Sequence, residues 1–350
     1  MLHVFSRALR KAAPNAELSR LLEILSSQEL RIRKAFEAFL SVTRSTALIS
    51  QARILLEVGD IEAALQLIEP YIAQLGNSIT AAVHEMAAEE AEELLSSMID
   101  EKLLDALGLN PAVTIGFNPS LPRAAEKIQQ NKFEFVVGFT NAQREATQTA
   151  LSAAFLEGHG PVKTARVFRD SIGLTDFQLQ AVANYQRLLE MGDSQALDRA
   201  LRDRRFDSSV ERAIRGDEPL GAERINRMVD RYRERFLKLR AETIARTEGL
   251  RAMGLARQEA LIQMVELTGI DPNDVTRIWH ATKDHRVRDT HGGPDGLDGQ
   301  VVGINESFVS SSDARLMFPG DTSLGAPAEE VINCRCVVTH KIGGGLPEIV

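Results

Sequence analysis

Apolar residues return every three or four positions through most of the first 270 residues, the repeat of amphipathic helices. Between residues 17 and 75 the pattern runs Leu21, Leu22, Leu25, Leu30, Ile32, Phe36, Phe39 and Leu40. It resumes at Ile54, Leu55 and Leu56, then Ile61, Ala64, Leu65 and Ile68. Gly59-Asp60 interrupts the run, and Asp60 is the expected N-cap of the next helix, so two helical hairpins are predicted. A further helix is expected from Ser78 to Leu107. A Pro/Asn-rich connector follows, from Leu109-Asn110-Pro111 to Pro122. Helices are next expected at about 121–130, 140–157, 161–171, 175–191 and 194–201, with Thr140 and Thr175 as caps. Gly221–Ile262 contains one long helix, with an interruption expected near Gly249 or Gly254.

Past Gly269-Ile270-Asp271-Pro272-Asn273 the helical period is lost. Gly, Asp, Pro and Ser rise, and short β-like pieces occur at Arg277–Ala281, Gln300–Val302 and Cys336–Lys341. The reading is therefore a mainly α-helical N-terminal region (1–110), a helical middle domain (111–222) and a small α+β C-terminal domain (223–342). Residues 343–350, opening Gly343-Gly344-Gly345, read as a flexible tail.

Composition changes this picture in three places. Aromatic residues are only 5% of the chain, so the cores must be built from Leu, Ala, Ile and Val, which suits packed helices. The net charge of −8 argues against a surface devoted to nucleic acid. It is unevenly spread, since residues 57–105 carry twelve acids and one base, and residues 199–251 fifteen bases and ten acids. Contact with phosphate is thus expected from the second half. No apolar run is long enough to cross a membrane, and the N-terminus is apolar for too short a stretch to be a secretory signal. Two cysteines separated by one residue imply no disulfide framework.

Candidate chemistry concentrates late in the chain. Six of the nine His and Cys residues follow Trp279: His280, His285, His291, Cys334, Cys336 and His340. An extended Cys334-Arg335-Cys336 would put both thiols on one side, and with His291 and another histidine such as His285 they could hold zinc. The C-x-C spacing is not that of the usual zinc knuckle, so buried thiols with histidines on loops are the expectation, and no cofactor. A Cys–His nucleophile using Arg335 and His340 lacks a nucleophile turn. Asp284, Asp289, Asp295 and Asp298 lie in a Gly-rich loop without the spacing of a calcium site, so turn chemistry is expected. Glu85, Glu89, Glu90, Glu92 and Glu93 point around their helix and read as a solvated face. On the long helix Arg224, Arg227, Arg231, Arg235 and Lys238 fall in one arc. That stripe is a candidate DNA or partner contact, although Glu223–Arg227 and Glu234–Lys238 pairing favours a solvated face. Ile225, Met228, Val229, Tyr232, Phe236 and Leu239 form the adjoining apolar face.

Four separated blocks carry a family resemblance. They are Arg240–Glu248, Trp279–His291, Leu297-Asp298-Gly299-Gln300 with Phe318-Pro319-Gly320-Asp321, and Val331-Ile332-Asn333-Cys334-Arg335-Cys336. In that order they resemble the phage Mu F-like, or head-morphogenesis, domain of minor head proteins of tailed bacteriophages, over roughly residues 225–340. The resemblance implies a non-enzymatic virion protein made in the host cytoplasm and carried inside the head near the portal vertex. Its implied partners are the portal protein, the scaffold or major capsid protein, and packaged DNA, with no membrane. Capsid assembly, and DNA packaging or ejection, are the implied functions. A hydrolase or transferase C-terminal domain is the alternative. Many relatives carry a cysteine pair where this chain has Asp289–Gly292, which leaves only His291 there as a ligand. Arg246, Glu248, Asp284, Arg286, Arg288, Asn333 and Arg335 are the expected members of a polar network pinning loop to helix.

Overall fold

The computed structural model describes residues 16–99, 104, 110 and 116–343. Most of the expected connector at 109–115, the tail beyond Gly343, and the side chains of Leu21, Leu22 and Leu25 lie outside them. The described chain is mainly helical up to Thr268 and carries short antiparallel strands beyond it. Its helices are α1 (Ala16–Thr43), α2 (Thr46–Glu57), α3 (Ile61–Gln66), α4 (Glu69–Met98), α5 (Pro122–Leu156), α6 (Pro161–Ser171), α7 (Asp176–Met191), α8 (Asp207–Ile214) and α9 (Ala222–Thr268). No helix among the described residues is long and apolar enough to cross a membrane.

Local signals account for several helix ends. The Asp60 carboxylate accepts from the Ala63 N–H at 2.9 Å and caps α3. Thr175 and Gln178 form a reciprocal capping box at the start of α7, which closes on Gly192 in the left-handed conformation. Three expectations are corrected. The helices at 121–130 and 140–157 are one, α5, because the intervening Asn131–Phe139 contains no residue that breaks the i→i−4 ladder. The long helix α9 runs through Gly249 and Gly254 without interruption. The segment expected as a helix at 194–201 is a short 3₁₀ turn, Ser194–Asp198.

The chain forms two compact units, each assembled from separated stretches. One comprises residues 35–76 and 133–242. Its core includes Phe36, Phe39 and Phe139, whose rings meet at 5.7–6.2 Å, and a second cluster built on Tyr185, Leu188, Met228, Tyr232 and Phe236. The buried Gln143 amide bonds the Thr147 hydroxyl, the Ser171 carbonyl and the Gly173 N–H, so all its neighbours are satisfied. On α9, Ile225, Met228, Val229, Tyr232 and Phe236 are buried as their spacing predicts, but Leu239 is 40% exposed and Leu237 is buried instead.

The other unit comprises the described residues among 1–34, 77–132 and 243–350. Here the second half of α9 lies beside a three-stranded antiparallel sheet in the order β2-β1-β5, with β1 at Val275–His280, β2 at Val301–Gly303 and β5 at Val337–Ile342. A two-stranded hairpin, β3 (Phe308–Val309) with β4 (Arg315–Leu316), was not visible in the sequence. Strand β1 alternates, so Val275, Arg277 and Trp279 share the buried face.

Buried charges fasten this unit. The Glu259 carboxylate accepts from Arg123 and Lys127. Glu90, expected on a solvated face, is buried and accepts from Arg257 at 2.8 Å. Arg257 also meets His340 Nδ1 at 3.1 Å. Burial, with Arg257 and Arg277 close by, pushes the His340 imidazole well below its ordinary range, so it is neutral in the fold. The unfolded chain, with a histidine pKa of about 6.5, then takes up a proton that the folded chain refuses, and stability falls as the pH drops below that value. His340→Gln should flatten the slope by up to about 1.4 kcal/mol per pH unit below pH 6.5, read from denaturant titrations at stepped pH. An unaltered slope contradicts a neutral buried imidazole. Gly254 meets Phe318 so closely that a Cβ would lie 2.4 Å from the ring. Gly254→Ala, despite its better helix propensity, should therefore lower stability by about 1–3 kcal/mol in thermal unfolding.

A buried Cys-Cys-His cluster as candidate functional site

The site is built by two short turns and the sheet between them. His291 lies in α10 (Asp289–Gly292), a single turn opened by Arg288. The chain then folds back through Gly296, where a Cβ would stand 2.8–3.1 Å from the His291 and Asp289 backbone, a close approach only glycine permits. On the far side, α11 (Ala328–Val331) ends at Ile332, and Asn333 takes a positive φ of 59°. That reversal returns Cys334 to the interior. The cysteines thus precede strand β5 and do not lie on an extended strand as expected. They share a direction because the turn bends Cys336 N–H onto Cys334 Sγ at 3.5 Å.

Both thiols reach the same imidazole nitrogen. His291 Nδ1 is 3.6 Å from Cys334 Sγ and 3.4 Å from Cys336 Sγ. On the other edge of the ring, His291 Nε2 is 2.8 Å from the Glu330 carboxylate. Glu330 also accepts from the Ser312 hydroxyl at 2.6 Å and the Thr290 hydroxyl at 3.1 Å. The three ligand-type atoms of His291, Cys334 and Cys336 lie within 4.8 Å of one another, the one such group of His, Cys, Asp or Glu among the described residues. All three side chains are buried, as is Glu330. Around them stand Trp279, Leu297, Phe308, Leu316, Val331 and Val337. The Trp279 ring meets the His291 ring edge-to-face at 5.6 Å.

Electrostatics distinguish the members. Hydrogen bonding from Cys336, outweighing burial and helped by His291, holds the Cys334 thiol well below the ordinary thiol range. Burial, reinforced by Cys334, pushes Cys336 up, against the Trp279 indole and Arg288, which favour its thiolate. Burial disfavours the His291 cation, but Cys334 and Glu330 together outweigh it and raise the imidazole. Burial acts against the Glu330 carboxylate too, and its bonds from Ser312, Thr290 and His291 prevail and lower it.

Residues 194–339 match the family described as Phage Mu protein F like protein. That segment is similar to the Mu F-like family. No curated protein and no solved structure matches the chain. The family is one of phage head-related proteins.

Within the Mu F-like segment the expected polar network divides into separate contacts. Arg335 donates to both Asp284 oxygens, at 2.5 and 2.7 Å, and the Arg286 N–H donates to the same carboxylate at 2.9 Å. The Arg335 fork, as the largest influence, holds the Asp284 carboxyl below the ordinary range. Arg288 donates to the Ile332 carbonyl. Arg246 bonds Glu29 and the Asn333 side-chain oxygen, while the Thr247 hydroxyl accepts from the Asn333 N–H at 2.9 Å. Glu248 pairs with Arg251. These contacts fix both flanks of the Cys334–Cys336 turn.

His285 is exposed and lies outside the cluster. Asp298 is used within the loop, accepting from the Ala281 N–H and from Lys283. On the basic stripe Arg227, Arg231 and Lys238 are exposed and Arg224 is half-buried. Arg231 pairs with Glu234, and Arg235 bonds the carbonyls of Leu201 and Arg202. Sequence reasoning missed Glu330, since an acid beside Glu329 on a surface-like turn carries no signal. It also missed Arg277, which the alternation Val275-x-Arg277-x-Trp279 could have revealed.

The Asn333 turn supplies a test that separates backbone from side chain. Asn333→Ala must place a Cβ-bearing residue without a local acceptor at positive φ, and should cost about 1–2 kcal/mol plus the Arg246 bond. Asn333→Gly keeps the φ and loses only the bond, so it should be the milder change in thermal melts. The reverse ranking would refute the backbone requirement.

Proposed function

We infer that the chain is a minor head protein of a tailed bacteriophage, associated with the portal vertex and acting in capsid assembly. The single observation that carries this reading is the Mu F-like match over residues 194–339, a stretch that contains the turns and strands around the buried cluster. Its place is the virion interior, after synthesis in the host cytoplasm. Its partners are the portal protein and the scaffold or major capsid protein, with packaged DNA reached through the exposed Arg227, Arg231 and Lys238. The role is structural and not enzymatic.

A second reading has one observation in its favour. Cys334, His291 and Glu330 stand in the order of a nucleophile, its base and an orienting carboxylate. Against it, all three are buried, and two thiols compete for one ring nitrogen.

Purified chain mixed with portal oligomers should co-sediment with them, and virions should contain it at low copy. Failure of both measurements removes the minor-head reading. Turnover of a hydrolase or transferase substrate, lost in His291→Ala while the melting temperature holds, would instead establish the enzymatic one.

A further inference from the structure

Three ionisable side chains, all buried, converge among apolar neighbours. Burying such groups is costly unless something pairs with all of them. With all three groups neutral, the imidazole cannot pair with both thiols at once. With Nε2–H donated to Glu330, His291 Nδ1 presents one in-plane lone pair, yet two thiols approach it at 3.6 and 3.4 Å. One lone pair accepts one S–H well. A cation placed among the three atoms satisfies all of them at once.

The distances suit such an ion. Zinc binds sulfur at about 2.3 Å and imidazole nitrogen at about 2.0–2.1 Å, so a tetrahedral site has N···S edges of roughly 3.6 Å. We propose that His291 Nδ1, Cys334 Sγ and Cys336 Sγ bind one zinc ion, with Glu330 fixing the orientation and tautomer of the histidine. Two thiolates and a neutral imidazole balance the charge of Zn²⁺, and this sulfur–nitrogen donor set selects zinc over the hard cations that prefer oxygen.

The outer contacts are those a metal site of this kind uses. A ligating histidine gives its other N–H to a carboxylate, and Glu330 takes that place, itself held by Ser312 and Thr290. Coordinated thiolates accept N–H donors, and Cys334 Sγ has the Cys336 N–H at 3.5 Å. Trp279 Nε1 is a buried donor with no nitrogen or oxygen partner, and its indole acts on Cys336. Three protein ligands leave the fourth tetrahedral position to a small exogenous ligand. The inference rests on side-chain geometry, so binding to portal or heads can fail without affecting it.

The test uses the full chain, purified with reductant and without chelator. Elemental analysis should find about one zinc per chain. Replacement by cobalt(II) should give a thiolate-to-metal charge-transfer band and the visible absorption of tetrahedral cobalt. Chelation should release the metal and make two thiols reactive to a thiol reagent in the otherwise folded chain. Cys334→Ser, Cys336→Ser and His291→Ala should abolish stoichiometric binding. Because those variants could fail to fold, Glu330→Gln is the second arm, expected to keep the cobalt spectrum but weaken affinity about 10–100-fold. His285→Ala should bind as the wild type does. A folded wild-type chain that takes up neither zinc nor cobalt overturns the proposal, as does full zinc retention in the Cys334→Ser, Cys336→Ser double variant.

Discussion

A guanidinium with no exposed surface must give every donor an acceptor, and in this protein that demand falls on Arg277. It sits on the central strand β1, fully buried. It donates to the Gly303, Glu306 and Met317 carbonyls and to the Gln258 side chain on α9. Burial lowers it to about 10, so it stays charged at neutral pH and the demand cannot be relaxed by losing a proton. The loops after β2 and β4 are therefore tied to one point beside the helix. Trp279, two residues along on the same buried face, is positioned by the same strand and packs on His291. One wall of the cluster, Trp279, thus shares its strand with a charge that lies outside the group of ligand-type side chains.

The cluster itself can be read against two kinds of chemistry that use the same residue types. A thiol nucleophile needs one sulfur, one base and an approach for the substrate. The site offers two sulfurs on one nitrogen and a closed apolar surround. Ligation of a soft cation uses both sulfurs and profits from enclosure, since water exclusion strengthens each bond to the ion. Such ligation would also help to hold so small a sheet together. Strands of two to six residues bury little on their own, and a cross-link between the α10 turn and the Cys334–Cys336 turn joins segments more than forty residues apart.

Much of the helical part was readable because its causes are local. Asp60 and Thr175 cap helices where the sequence places them, and the apolar face of α9 from Ile225 to Phe236 follows the 3.6-residue period. What escaped reading depends on tertiary contact. Gly254 looked like a break, and it is instead the gap into which Phe318 packs. The five glutamates on α4 looked like one solvated face, until Arg257 paired with Glu90. In the candidate site, Cys334, Cys336 and His291 were recognisable by residue type, but their convergence was not, because it follows from the positive φ of Asn333 and the close backbone return at Gly296. His285 has the same chemistry as His291 and points to solvent. No spacing rule separates them.

The interleaving of the two units along the chain has a consequence for biosynthesis. The unit formed by residues 35–76 and 133–242 is complete once the ribosome passes residue 242. In the other, residues 77–132 wait for residues 243–342, and Glu90 for an Arg257 that lies 167 residues further on. At roughly 5–20 residues per second, that is an interval of several seconds or more, during which the Glu90 carboxylate lacks Arg257. Glu85, Glu89, Glu92 and Glu93 stay exposed in the finished fold, so α4 carries a charged face both while it waits and afterwards.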